Sequence, residues 1–217
     1  MDASGDITSV KDIDNNEYKV VEIGSQCWMA VNLRTTKYAD NTSITHGTTS
    51  NSTTVRYYYD YSSSSIPLGE RGYLYNWPAA MKGTTAEGTQ GVCPTGWHLP
   101  TKTEWQTMVA SAAASTSTGA VYLSASCYWS GSNSATNGMT PNSYDNPDCN
   151  KSGFSAVPAG RFLDSSFDGS GDYADFWSSS LRDTNAAWNR YLNSSNANVY
   201  ENSNHSYYGF SVRCVRD

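Results

Sequence analysis

Gly209-Phe210-Ser211-Val212-Arg213-Cys214-Val215-Arg216-Asp217 closes the sequence as an alternating apolar strand carrying a cysteine of the buried type. The stretch before it is of a different kind. From Asp183 to Tyr208, seven Asn, four Ser and four Tyr fill 15 of 26 positions, and only Leu192 and Val199 are aliphatic residues larger than Ala. On the far side stands another sharply specified block, Phe176-Trp177-Ser178-Ser179-Ser180. A disordered tail does not end in such a strand, so the stretch reads as a folded surface whose side chains serve contact more than packing. Tyr offers a rigid amphipathic face with few rotors, and Asn and Ser offer adaptable hydrogen bonds. The plainer alternative is a polar loop region with no partner. The flanking blocks and the aromatics Trp188, Tyr191, Tyr200, Tyr207 and Tyr208 favour a binding surface over it.

The 217 residues suffice for one large domain with a sizeable core. Charged residues are only 16% of the chain, whereas 13% are aromatic, and that many aromatics speaks for folding over disorder. Low charge with abundant Ser, Thr, Asn and Tyr suits an extracellular or cell-surface, loop-rich, β-containing protein. The net charge of −6 and the absence of a Lys/Arg run argue against nucleic acid as a partner. No run of about eighteen apolar residues offers a membrane span. Met1-Asp2-Ala3-Ser4-Gly5-Asp6 lacks the regions of a signal peptide, so an export segment is expected to lie outside this sequence.

Five cysteines are present, with no metal-type pair spacing, and His46, His98 and His205 are scattered. No cofactor or structural zinc is expected. Cys127 and Cys149 bracket a Ser/Asn/Gly/Pro stretch with little else to hold it, and a disulfide is expected between them. Which of Cys27, Cys93 and Cys214 keeps a free thiol stays open.

Tyr18–Ile23 and Gln26–Leu33 read as a hairpin around Gly24, and Arg56–Tyr61 as an aromatic strand, with a polar loop over 39–54 between them. Tyr73–Met81 has apolar residues at helical spacing, provided that Pro78 falls in the first turn. Thr101-Lys102-Thr103-Glu104 is a capping-box pattern, and Trp105, Met108, Val109 and Ala112 share one face of the helix that follows. Gly153–Gly160, Tyr173–Ser178, Ala186–Leu192 and Phe210–Val215 read as strands. Strands at both ends and two helices between them indicate an α+β fold, with small antiparallel sheets, many loops and the terminal strands paired in one sheet. Residues 1–11 read as an N-terminal extension and 12–217 as a single domain.

Several blocks in this order resemble a known family. They are Asp14-Asn15-Asn16-Glu17-Tyr18, Ile23-Gly24-x-Gln26-x-Trp28-Met29-Ala30-x-Asn32-Leu33 and Cys93-Pro94-x-Gly96-Trp97-His98-Leu99-Pro100 with Glu104-Trp105. They continue with Gly153-Phe154-Ser155-Ala156-x-Pro158-Ala159-Gly160, Trp177-Ser178-Ser179 and Ser211-Val212-Arg213-Cys214-Val215. Together they are similar to the Fibrobacter succinogenes major paralogous domain, a family of exported bacterial proteins, departing from it at Val31, where Glu is usual. The resemblance implies a C-type lectin-like fold of the formylglycine-generating-enzyme subtype. It also implies a likeness to the variable proteins of diversity-generating retroelements, in which adenine-directed mutagenesis rewrites a C-terminal segment with Asn, Ser, Tyr, Asp, Thr, His and Gly. The segment 181–208 has that vocabulary and that place.

The leading expectation is therefore a non-enzymatic display domain that binds a protein or cell-surface ligand. Its contact residues are expected to be Arg182, Asp183, Asn185, Trp188, Arg190, Asn193, Ser195, Asn196, Asn198, Tyr200, Asn202, Asn204, His205, Tyr207 and Tyr208. Along Ala186–Leu192 one of the pairs Trp188/Arg190 and Asn189/Tyr191 is expected to face inward, and Trp188, in phase with Leu192, has core packing as its other reading. The runner-up is a static exported carbohydrate-binding or cell-surface structural domain. Calcium-dependent sugar binding is disfavoured, because Glu-Pro-Asn and Gln-Pro-Asp are missing and Trp188-Asn189-Arg190 lacks the acid of Trp-Asn-Asp. Asp145, Asp148, Asp164, Asp168, Asp172 and Asp175 read as loop-solvating acids more readily than as ligands of a cation. Formylglycine-type catalysis needs a close reactive cysteine pair, and Cys214 has no neighbouring cysteine in sequence.

Overall fold

The computed structural model describes residues 8–112, 119–125, 128–130 and 150–217. The expected Cys127–Cys149 pair lies outside the described residues, as do Asp145 and Asp148. The chain begins with β1 (Ser9–Lys11), β2 (Glu17–Ile23) and β3 (Gln26–Met29), followed by β4 (Thr45–His46) and β5 (Tyr57–Tyr59). Next come the one-turn helix α1 (Leu68–Arg71), β6 (Leu74–Asn76), α2 (Trp77–Ala80), β7 (Trp97–His98), α3 (Lys102–Ala112) and α4 (Gly119–Leu123). The last third is strands: β8 (Arg161–Leu163), β9 (Ser166–Asp168), β10 (Tyr173–Leu181), β11 (Ala186–Asn193), β12 (Tyr200–His205), β13 (Gly209–Phe210) and β14 (Val215–Arg216).

Among the described residues this is a mixed α+β architecture with three sheets, ordered β1-β2-β3-β14-β7, β4-β5-β6-β13-β8-β9 and β10-β11-β12. The terminal strands do share a sheet, since β14 pairs with β3 through Val215 and Trp28. The expected extension ends in β1, which pairs along β2. The β2–β3 hairpin turns at Gly24, whose φ is +63°, and a Cβ there would lie 2.5 Å from Ser111 Oγ of α3. Glycine is required both by the backbone and by the closeness of the helix.

Three sequence readings are corrected. Tyr73–Met81 is not one helix. Its first half is β6 and only Trp77–Ala80 is helical, with Asn76 as N-cap accepting from Ala79 N and Pro78 in the first turn. The aromatic run fitted either period, and pairing decided: Tyr75 lies opposite Tyr58 on one side and Phe210 on the other. Phe210–Val215 is not one strand either. It splits into β13 and β14, which belong to different sheets. Gly153–Gly160 makes only isolated bridges, at Ala156 and Gly160, and Ser155 takes a positive φ of 56°.

Arg213 explains the split. Its guanidinium is fully buried and donates to the carbonyls of Met29 (3.0 Å), Phe154 (2.5 Å) and Ser155 (2.9 Å) and to Asn32 Oδ1 (2.5 Å). It also lies 4.6 Å from the centroid of the Phe154 ring. Backbone carbonyls of an irregular segment are thus satisfied by one side chain where no ladder could reach them. Burial lowers the pKa of this guanidinium to about 9. One residue on, Cys214 is joined to Cys93 in a disulfide spanning 121 positions, and Cys27 is the free cysteine among the described residues.

The capping box forms as read. Glu104 N donates to Thr101 Oγ1 at 3.1 Å and Thr101 N donates back to Glu104 Oε2 at 2.8 Å. The apolar face of α3 then closes an aromatic core in which Trp105 meets Trp28 at 4.7 Å and Phe176 at 5.6 Å between centroids.

Candidate functional site

The Asn/Ser/Tyr-rich segment folds as the β11–β12 hairpin with the 182–185 turn in front and the 206–208 turn behind. Its two ends are pinned. Before it, Ser178, Ser179 and Ser180 are buried: Ser178 Oγ donates to the carbonyl of Trp188, Ser179 Oγ accepts from Gly88 N, and Ser180 Oγ accepts from Lys102 N. Their small hydroxyls let β10 bulge between Trp177 and Leu181 with its polar groups satisfied. After the hairpin, Gly209 pairs with Asn76 and Phe162, then Ser211 bridges Phe176.

Residues directly opposite in an antiparallel pair share a face. Register therefore places Tyr191 with Tyr200 and Asp175, Asn189 with Asn202 and Trp177, and Ala187 with Asn204 on one face. The other face carries Arg190 with Glu201 and Phe176, Trp188 with Ser203, and Ala186 with His205.

The second face is turned to α3. Leu192 is in the aromatic core, Lys102 Nζ lies 3.4 Å from the centroid of the Trp188 ring, and Arg190 pairs with Glu201. Lys102 also reaches Glu201 at 2.9 Å, and Gln106 donates to it at 3.1 Å. Burial tends to raise the pKa of Glu201, but these donors and Arg190 hold it below the usual carboxylate range. Trp188 and Arg190, read as contacts, thus belong largely to the scaffold.

The expected either-or for the two pairs is not met. Asn189 and Arg190 are both buried, whereas Trp188 and Tyr191 are half-buried. Each buried polar residue has its own partners: Asn189 Nδ2 donates to Asp175 Oδ1 (3.0 Å), and Asn189 Oδ1 accepts from Asn204 Nδ2 (2.9 Å). An alternation argument cannot foresee this, because the compensating groups come from β10 and β12.

The remaining candidates lie at the surface, in two groups. Arg182, Asp183, Asn185, Asn204, His205 and Tyr208, with Ala186 and Ser203, line an open concavity of about 470 Å³. Asp183 holds the turn there by accepting from the backbone N–H of Asn185 and Ala186, and Arg182 donates to Ser203 Oγ. His205 stacks on Tyr207 at 5.1 Å and meets Tyr208 edge-on at 5.5 Å. Tyr208 is in part structural, since it packs near Phe210 and donates to Asp164 Oδ2.

The second group surrounds a pocket of about 200 Å³ lined by Arg161, Leu163, Tyr173, Asp175, Tyr191, Asn193, Asn202, Asn204 and Phe210. Tyr191 stacks on Tyr200 at 4.6 Å, and Tyr200 Oη accepts from Asn198 Nδ2. Asn193 and Asn196 fold their Oδ1 atoms onto local backbone, on Ser195 N and Asn198 N, shaping the 194–199 turn in which Ser195 is exposed. Burial pushes the Asp175 carboxyl up to about 7. Asp175, Asn189, Tyr191 and Glu201 were not among the expected site residues. For Asp175 a signal existed: an acid between Ala174 and Phe176, in phase with Trp177, cannot avoid the interior.

Every block that carried the family resemblance is built into this frame. Trp28, Met29, Asn32 and Leu33 are buried, Cys93 is bonded to Cys214, Glu104 caps α3, and Trp177 Nε1 donates to the Tyr75 carbonyl. A family profile matches residues 21–216. The chain belongs to the Fibrobacter succinogenes major domain family. Searches of curated proteins and of solved structures gave no match. Within this Fibrobacter succinogenes major domain, no group of three or more His, Cys, Asp or Glu converges to hold a metal among the described residues. No described helix is long and apolar enough to cross a membrane.

Proposed function

We propose that this domain is a non-enzymatic ligand-binding display protein with a C-type lectin-like scaffold of the formylglycine-generating-enzyme subtype. In this reading the segment 181–208 is diversified by a retroelement to bind varied protein or cell-surface ligands. One observation carries it: the Asn/Ser/Tyr hairpin is pinned at both ends by buried groups, while Arg182, Asp183, Asn185, Ser195, Asn202 and His205 between the pins are exposed. A fixed frame with changeable surface residues is how binding function is commonly built. The Cys93–Cys214 disulfide supports an exported location, and it removes Cys214 as a thiolate nucleophile.

The test is the nucleotide sequence around the gene. A nearby partial copy of codons 177–217 that differs only where the copy carries adenine, beside a reverse transcriptase gene, is the expected finding. Its absence would remove the diversification and favour the second reading, a static exported carbohydrate-binding domain. The Tyr191–Tyr200 stack beside the amides of Asn193 and Asn202 is the observation in favour of that second reading.

A further inference from the structure

We propose that the pocket between β8 and the β10–β11–β12 sheet is an anchor site for a primary ammonium group, the side chain of a lysine on the bound partner, with Asp175 as its counter-charge. This deepens the display reading and rests on it for the partner being a protein.

The floor of the pocket is Asp175, which is 2% exposed. Its Oδ1 accepts from Asn189 Nδ2, and Asn189 is itself held by Asn204. Its Oδ2 is buried and has no hydrogen-bond partner. A native buried polar atom left unpaired is uncommon and costs about 1–3 kcal/mol, more for a charge.

The charged and titratable groups around the carboxylate are few. Arg161 on β8 lies 3.7 Å from the centroid of the Tyr173 ring and is committed to Asp168 Oδ2 through Nε (3.1 Å) and Nη2 (3.0 Å). Those two bonds hold its guanidinium on Asp168 of β9. Burial raises the pKa of the Asp175 carboxyl and the Arg161 charge lowers it by less, but no ion pair or hydrogen bond joins the two among the described residues. The other titratable groups lining the pocket are Tyr173 and Tyr191, so Asp175 has no directly bonded cation.

A hydroxyl could donate to Oδ2, but it would leave a desolvated charge beside the apolar walls of Leu163 and Phe210. A cation removes that penalty. A guanidinium fork has to meet both carboxylate oxygens side by side, and Asn189 already occupies one of the two lone pairs of Oδ1, which crowds that approach. A lysine tip needs a single strong acceptor and can turn its other donors elsewhere. Asn202, whose Oδ1 accepts from Ser203 N and keeps a second lone pair, and Tyr191 both line the pocket. Asn193, Asn202 and Asn204 rim the pocket, so changes on the hairpin would alter its mouth while the β10 floor stays constant.

The experiment uses the purified domain and small probes followed by NMR titration. Nα-acetyl-lysine methylamide is expected to bind at pH 8 and to shift signals of Asn189, Tyr191 and Asn202. Binding should weaken about tenfold by pH 6, where the acid is largely protonated. The same probe acetylated on Nε should lose binding, and Asp175→Asn should abolish it without lowering the melting temperature. If that variant unfolds, Asn202→Leu, which blocks the mouth, is expected to weaken binding at least several-fold. n-Butylamine binding where the capped lysine does not would overturn the assignment to a partner's lysine. Equal binding of the acetylated probe, binding of methyl glucoside instead, or an affinity independent of pH would overturn the proposal. None of these results depends on the retroelement, so failure here leaves the display reading to its own test.

Discussion

The ammonium of Lys102, the first residue of α3, lies 3.4 Å from the centroid of the Trp188 ring in the middle of β11. A residue of the frame thus covers the largest aromatic of the Asn-rich hairpin. A cation over an indole face is worth about 0.5–2 kcal/mol, beyond the apolar area the ring buries. Trp188→Ala is therefore expected to lower unfolding free energy by about 2 kcal/mol in urea titrations. Loss of ligand binding without loss of stability would return Trp188 to the contact surface.

Two positions along the same face, Arg190 is buried and pairs with the partly exposed Glu201. Breaking a fully buried pair typically costs about 3–5 kcal/mol. Glu201 is also served by Lys102 and Gln106, so Arg190→Ala should cost less, about 1–3 kcal/mol, again read by urea titration. A double change of Arg190 and Glu201 to Met should recover most of the loss.

The Cys93–Cys214 disulfide closes a loop of 121 positions. The chain-entropy model assigns a loop of this size about 4–5 kcal/mol. Reduction, or Cys93→Ser with Cys214→Ser, should lower the melting temperature markedly, as seen by calorimetry with and without reductant. An unchanged melting temperature would show that Arg213 and the β14 pairings suffice alone.

His98 connects two acids, through Nε2 to Glu104 Oε1 at 2.8 Å and through Nδ1 to Asp217 Oδ1 at 2.7 Å. The bond to Glu104 raises the His98 pKa against the opposing effect of burial, and Asp217 adds to the rise. A histidine with a raised folded-state pKa contributes fully below its unfolded value near 6.5, and that contribution is lost as pH rises through the folded value. Burial tends to raise the pKa of Glu104, but His98 and Thr101 together hold it low. Its contribution is present above the unfolded carboxylate range and is lost as pH falls through the lowered value. His98→Gln should therefore flatten the alkaline side of a melting-temperature profile, above about pH 6.5.

Asp175 acts in the opposite sense to Glu104. Its carboxyl is raised by burial to about 7, so the folded state holds a proton that the unfolded chain has released above about pH 4. Stability due to this group should fall as pH rises from about 4 to 7. In Asp175→Asn that slope should disappear, giving a protein more stable than the parent at pH 8. A less stable variant at that pH would mean that the ionised carboxylate has a partner in solution.

The parts legible from sequence were those with local causes. The capping box needs only Thr101 and Glu104, and the β2–β3 hairpin needs only alternation around Gly24. The Tyr73–Met81 run was misread because its period is ambiguous, and partners far along the chain, Tyr58 and Phe210, decide its form. The same holds for the inward residues of the hairpin: Asn189 and Arg190 are polar by composition and interior by virtue of Asp175, Asn204 and Glu201. The exposed candidates on the 182–185 and 194–198 turns followed directly from their vocabulary, since polar turn residues need no distant partner.

Because Ser178–Ser180 tie one end of the hairpin to Gly88 and α3, and Gly209–Cys214 tie the other into the neighbouring sheets, its permissible alphabet differs from position to position. A combinatorial library on this chain could vary Arg182, Asn185, Ser195, Asn202 and His205 freely while holding Ala187, Asn189, Arg190 and Leu192 constant. Most of its members should then remain foldable.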